Sequence, residues 1–186
     1  MVAEQVALGS ARERVLEAAE RVVSETGAAR LTLDAVAQAA GVSKGGLLYH
    51  FPSKESLLAA LAKRYVDGMR QCIEAAKGSI GAGESGRDLK ACIIGALSDP
   101  RAKAMGAAFM ATAASDPMLL EVIRERIAEH TQELAASRVD FARAAIIILA
   151  IDGLKMREAL RISAFSAEQR AAIVNELLKL ADEAHR

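Results

Sequence analysis

The chain has 186 residues, of which 52% are hydrophobic and only 3% aromatic, with Ala and Leu abundant and Trp absent. That is enough apolar material for one large or two small domains with a substantial core, and it points to an all-α protein. The 24 basic and 24 acidic residues cancel, which excludes a protein that coats nucleic acid without regard to sequence. The two cysteines, Cys72 and Cys92, form no Cys-x-x-Cys and read as buried free thiols of a reducing compartment. The N-terminus shows no basic-then-apolar signal pattern. The longest apolar run, Ala144 to Ile151, is too short to span a bilayer. A soluble, cytoplasmic protein with no membrane partner is expected.

Residues 1–9 read as an arm. Ser10 and Glu13 have capping-box spacing. The helix they open carries Val15, Leu16, Ala19, Val22 and Val23 on one face and stops at Gly27. Arg12 and Arg14 near its start read either as a solvated helix face or as phosphate contacts. Across residues 1–54, Arg12, Arg14, Arg21, Arg30, Lys44 and Lys54 balance Glu4, Glu13, Glu17, Glu20, Glu25 and Asp34 one for one. Any positive face must therefore come from placement. Thr32 caps a second helix, with Asp34 in the first turn where a negative charge suits the helix dipole. Leu33, Val36, Ala37 and Ala40 form its apolar face. Gly41 closes it, because the position after a helix often needs positive φ. Ser43 caps a third helix carrying Leu47, Leu48 and Phe51. Two short helices joined by a glycine turn make a helix-turn-helix, whose second helix enters the DNA major groove.

Ser53 caps a long helix running to about Lys77, striped by Leu57, Leu58, Leu61, Tyr65, Met69, Cys72 and Ile73. Residues 78–86 are glycine-rich and read as a flexible linker. They lack the Lys-Ser/Thr of a phosphate loop. Five helical pieces follow. The first covers about 87–97. The second is capped by Asp99 before Pro100, and the third by Asp116 before Pro117. The fourth covers about 138–161. The last begins at Ser166, with Gln169 completing a capping box. From Phe141 through Ile151 the fourth piece is apolar nearly all round, broken mainly by Arg143, so it must be covered on every side. One face packs on its own domain, and the other calls for a second copy of the chain. Ile147 and Ile151, with the stripe Ile173, Val174, Leu177, Leu178 and Ala181 of the last helix, are the expected dimer interface.

The run from Gly41 to Leu57, Gly-Val-Ser-Lys-Gly-Gly-Leu-Leu-Tyr-His-Phe-Pro-Ser-Lys-Glu-Ser-Leu, resembles the DNA-binding domain of the TetR family of transcriptional regulators. The resemblance covers roughly residues 10–64. It departs from the family pattern at Gly46, where many members have Thr or Ser, and at Leu48, where many have Tyr. It implies an N-terminal three-helix helix-turn-helix domain, residues 1–54, whose first helix braces the other two. A helical ligand-binding and dimerisation domain, residues 55–186, follows, joined through the helix of about 53–77. It also implies a homodimer on a double-stranded operator, released by a small apolar ligand; no cofactor or metal is expected.

Individual residues can then be assigned. Lys54 stands in the first turn of the long helix, where a cation opposes the dipole but joins free N–H groups in holding phosphate. The resemblance likewise makes Lys54 and His50 backbone contacts. Thr32 can cap its helix and touch phosphate with the same hydroxyl, and the Tyr49 hydroxyl can reach phosphate too. Lys44, the one long polar side chain at the front of the recognition helix, either reads guanine O6 and N7 or binds phosphate. Gly45 and Gly46 each cost about 1 kcal/mol of helix propensity, which makes sense if backbone must approach DNA closely. With Ser43 and Leu48 these residues make the expected DNA face. Met69, Met105, Phe109, Met110, Met118 and Met156 read as core packing or as an adaptable apolar pocket. The resemblance implies that some of them, with Ile73, line a cavity. Asp152 is either a buried group paired across helices or a ligand contact. His50, His130 and His185 are scattered, and no catalytic or metal-ligand spacing appears. The alternatives are a ligand-independent helix-turn-helix protein and a helical enzyme or scaffold. DNA titration and ligand screening separate them.

Overall fold

The computed structural model describes residues 10–27, 30–98, 117–136 and 139–184. Every regular element among them is an α-helix: α1 (Ala11–Thr26), α2 (Leu33–Ala40), α3 (Lys44–His50), α4 (Lys54–Ser79), α5 (Arg87–Ser98), α6 (Pro117–Ala136), α7 (Phe141–Ala159) and α8 (Ala167–Glu183). The helix expected after Asp99, Asp116 itself and the arm of residues 1–9 lie outside the described residues. The chain divides into two compact units, with the break after Arg64, inside α4. One unit gathers residues 10–64 and 117–123, and the other holds the remainder.

Local chemistry sets the ends of the first unit's helices. The Ser10 hydroxyl accepts from the Glu13 N–H at 3.2 Å, that of Thr32 from Ala35 at 3.2 Å and that of Ser43 from Gly46 at 3.0 Å. Ser53 and Ser56 cap α4 reciprocally: the Ser56 N–H donates to Ser53 Oγ at 3.2 Å and the Ser53 N–H to Ser56 Oγ at 3.1 Å. The Glu13 carboxylate, which a capping box would aim at the Ser10 N–H, meets the Arg64 guanidinium. Arg64 Nε also reaches Glu20 at 2.7 Å, so α4 is pinned to α1 by two carboxylates. Partial burial would lower the Arg64 pKa, but those two partners hold it above its ordinary value. Val15, Leu31, Val36, Leu47, Leu57 and Leu61 are fully buried, so the opening turns of α4 complete the three-helix core. Ala37 is 5% exposed and small enough for α2 to pack closely.

In the second unit, Leu89 and Ile93 of α5, Ala144, Ile147, Ile151 and Leu154 of α7, and Leu177 and Ala181 of α8 form one core. Complete burial of a side chain such as Ile147 stabilises by about 1.5–3 kcal/mol. Of the residues expected at a dimer interface, Ile147, Ile151, Leu177 and Ala181 are already buried within their own protomer. Ile173, Val174 and Leu178 pack at the edge of the same core and stay partly exposed.

The segment expected as a flexible linker is anchored. Residues 78 and 79 belong to α4. Arg87 donates to the carbonyls of Lys77 at 2.8 Å and Ile80 at 3.1 Å, which ties the start of α5 to the end of α4 and the turn after it. The Ser85 hydroxyl donates to the Asp182 carbonyl at 3.0 Å, and the Lys90 ammonium meets the Asp182 carboxylate at 2.6 Å. Gly86 has φ 64°, and a Cβ there would stand 2.1 Å from the Ala181 carbonyl oxygen.

Candidate nucleic-acid interface

The turn between α2 and α3 closes as a Schellman motif. Gly41 is left-handed at φ 64°, ψ 37°. Its N–H donates to the Gln38 carbonyl at 3.2 Å, and that of Val42 donates to Ala37 at 3.1 Å. This geometry fixes which side of α3 faces outward. Leu47 is fully buried and holds α3 to the core. Lys44, Gly45, Gly46, Leu48 and Tyr49 are exposed, Tyr49 at 84%. Gly45 has open space where a Cβ would go, and at Gly46 a Cβ would meet only the Ser43 hydroxyl at 3.2 Å. The front of the helix is therefore flat backbone flanked by Lys44 and Tyr49.

His50 is half-buried, and its ring meets that of Tyr49 edge to face at 5.1 Å between centroids. That contact, rather than the core, positions the Tyr49 phenol. Thr32 is exposed while capping α2. Lys54 is half-buried at the start of α4. The Glu55 carboxyl beside it is held below its ordinary pKa, first by its own backbone N–H, then by the Ser53 hydroxyl and the Lys54 charge. A phosphate arriving there would share the site with the Glu55 carboxylate. Arg12 lies over the Phe51 ring at 5.3 Å and Arg21 donates to the Ala39 carbonyl at 3.4 Å, so both brace α1 against its neighbours.

One contact was missed from sequence. Lys44 Nζ stands 2.9 Å from Asp34 Oδ1 and 3.1 Å from Oδ2, with the two side chains 60% and 70% exposed. The residues lie ten apart on different helices, so no helical spacing pairs them. Only the closed turn brings them together.

Of the expected ligand residues, Met69, Ile73, Asp152 and Met156 lie among those described. Ile73 sits where α4 meets α5: a Cβ at Gly95 would lie 2.5 Å from the Ile73 Cα. Its place is a helix crossing. Met69 is half-buried with Lys155 Nζ 3.5 Å from its sulfur, and Met156 is 41% exposed. Asp152 is exposed, which removes its reading as a buried polar group. Met105, Phe109, Met110 and the Met118 side chain lie outside the described residues. No group of three or more His, Cys, Asp or Glu that could hold a metal occurs among the described residues, and none of their helices is long and apolar enough to cross a membrane.

Comparison with known proteins agrees with this geometry. The sequence model of bacterial regulatory proteins of the tetR family matches residues 15–61, and that of the tetracyclin repressor-like C-terminal domain matches residues 86–182. The transcriptional regulator BetI of Serratia proteamaculans is 25% identical over 179 residues, 90% of each chain. The regulator RutR of Escherichia coli is 39% identical over 61 residues, which is 33% of this chain and 29% of RutR. A solved transcriptional regulator from Rhodococcus sp. Rha1 superposes with a TM-score of 0.73 at 24% identity, covering 94% of this chain and 96% of its own. The multidrug binding protein EbrR, solved with ethidium, superposes with a TM-score of 0.67 at 25% identity, covering 92% and 98%. A regulator from Saccharomonospora viridis, solved with choline, gives 0.74 at 19% identity, covering 91% and 95%. With both family models matched, the second across more than half of the sequence, the chain belongs to the TetR family and is a DNA-binding transcriptional regulator of the helix-turn-helix type, not an enzyme.

Proposed function

We propose that two copies of this chain bind a pseudo-palindromic operator through α3 and act as a cytoplasmic repressor that a small, largely apolar molecule releases. The exposed face of α3 carries this reading. In a helix of seven residues, five positions are exposed, and flat backbone at Gly45 and Gly46 suits close approach to a groove. Lys44, Gly45, Gly46 and Leu48 would face bases. Thr32, Ser43, Tyr49, His50 and Lys54 would hold the phosphates on either side. Residues 1–54 would form the DNA-binding domain and 55–186 the regulatory and dimerisation domain.

Dimerisation belongs to α7 and α8 on this reading. Positions 144, 147, 151 and 154 share the buried face of α7, and Leu149 lies opposite at 69% exposure with Ile146 at 57%. An apolar outer face of this kind marks an interaction surface. The partly exposed Ile173, Val174 and Leu178 of α8 would join it. For the ligand, support comes from a similar protein: the multidrug binding protein EbrR is solved with ethidium. Met69, Met105, Phe109, Met110, Met118 and Met156 remain the residues to test. Selecting bound sequences from a randomised duplex library with the full chain tests the operator assignment. Recovery of an inverted repeat with half-sites about one helical turn apart is expected. Recovery of unrelated sequences would overturn it.

A further inference from the structure

Asp34 bears on which acceptor Lys44 takes. The ammonium touches both carboxylate oxygens, at 2.9 and 3.1 Å. An ammonium has three donors, so the pair leaves Lys44 able to donate once more. At this exposure the ion pair adds little to stability. Its consequence lies in what else the ammonium accepts as a partner. A phosphate hydrogen-bonded to the same nitrogen would place its charge within about 6 Å of the carboxylate, inside the screening length of physiological salt. Guanine O6 and N7 are acceptors without net charge, and either can take the remaining donor without that repulsion.

We propose that Asp34 is a specificity-determining residue: by pairing with Lys44 in place, it favours that side chain's contact with guanine over its contact with phosphate. The pairing rests on α3 being the DNA-facing helix, and it decides between the two roles open to Lys44. It also gives a neutral protein a reason to hold an acidic side chain beside its recognition helix. Phosphate contacts raise affinity for every sequence alike, whereas a masked lysine contributes only where guanine is present.

The test uses the full chain, its Asp34→Asn, Asp34→Glu and Lys44→Ala variants, a random-sequence duplex and a randomised duplex library. Wild type should select guanine at one position per half-site, by roughly 5- to 150-fold over other bases. Asp34→Asn should lose most of that preference, bind the random duplex more tightly and steepen the log–log salt slope by about 0.9, the signature of one added phosphate contact. Asp34→Glu, which keeps the carboxylate, should behave as wild type. If Asp34→Asn keeps both the preference and the slope, the inference falls. If Lys44→Ala makes the slope shallower with Asp34 intact, Lys44 already sits on phosphate; the inference falls and the DNA face stands. If Lys44→Ala changes neither selection nor slope, the assignment of this end of α3 to DNA falls with it.

Discussion

Gly41 and Gly86 share a φ of 64° but differ in what surrounds them. At Gly41 a Cβ would meet nothing within 4 Å, so Gly41→Ala pays only for the left-handed backbone, about 1–2 kcal/mol. Asn, which tolerates that conformation, should cost less. At Gly86 the added carbon would stand 2.1 Å from a carbonyl oxygen of α8, so backbone must move as well. Chemical denaturation should rank the losses Gly86→Ala, then Gly41→Ala, then Gly41→Asn; equal losses for the two alanines would mean that the loop before α5 yields freely. Lys54 allows a second residue-scale prediction. Lys54→Ala should weaken binding to all sequences about equally and make the log–log salt slope shallower by about 0.9. An unchanged slope removes Lys54 from the phosphate contacts. Much at this scale was legible beforehand. The caps Ser10, Thr32, Ser43, Ser53 and Ser166 follow local rules spanning three residues. The Lys44–Asp34 and Arg64–Glu20 pairs do not, because each joins residues on different helices.

Among the elements, α7 shows where pattern reading stops. Its apolar residues run nearly all the way round, so periodicity gives no inside face. The sequence calls for cover on both sides, by its own domain and by a second copy, but does not say which residues face which. Packing on α5 and α8 makes that choice, taking Ile147 and Ile151 inward and leaving Ile146 and Leu149 out. The same tertiary choice anchors residues 80–86, whose glycine content alone suggests freedom. Paired substitutions test the assignment. Ile147→Glu puts an unpaired charge where no surface is exposed, and it should unfold the second unit or cost several kcal/mol. Leu149→Glu, at 69% exposure, should keep a cooperative melt and sediment as a monomer. A wild-type dimer from folded Leu149→Glu would move the interface off this face of α7.

For the whole molecule, the question is how ligand and DNA influence each other through one chain. α4 is continuous from Lys54, beside the proposed phosphate contacts, to Ser79, beyond Met69 and Ile73. Its 26 residues span roughly 39 Å at 1.5 Å per residue. Arg87 and the Lys77–Asp88 pair fix its C-terminal end, and the pair keeps the Lys77 pKa above its ordinary value. Arg64, held by Glu13 and Glu20, fixes the other part to the three-helix core. If α4 moves as one rod, it would transmit displacement instead of absorbing it by fraying. Two recognition helices set about one DNA turn apart tolerate little change in separation, so a ligand that shifts α4 would weaken operator binding without touching DNA. Thermodynamic linkage requires the reverse: operator must weaken the ligand by the same factor, typically about 5- to 150-fold. The measurement needs a compound that does not itself bind DNA. A thermal-shift screen of small apolar compounds should find a stabilising ligand. Its affinity is then measured with and without a saturating duplex taken from the library selection. Weaker binding in the presence of duplex is the expected result. Equal affinities would remove ligand release from the mechanism while leaving the regulator's DNA binding intact, because a ligand that does not distinguish the two states cannot shift them.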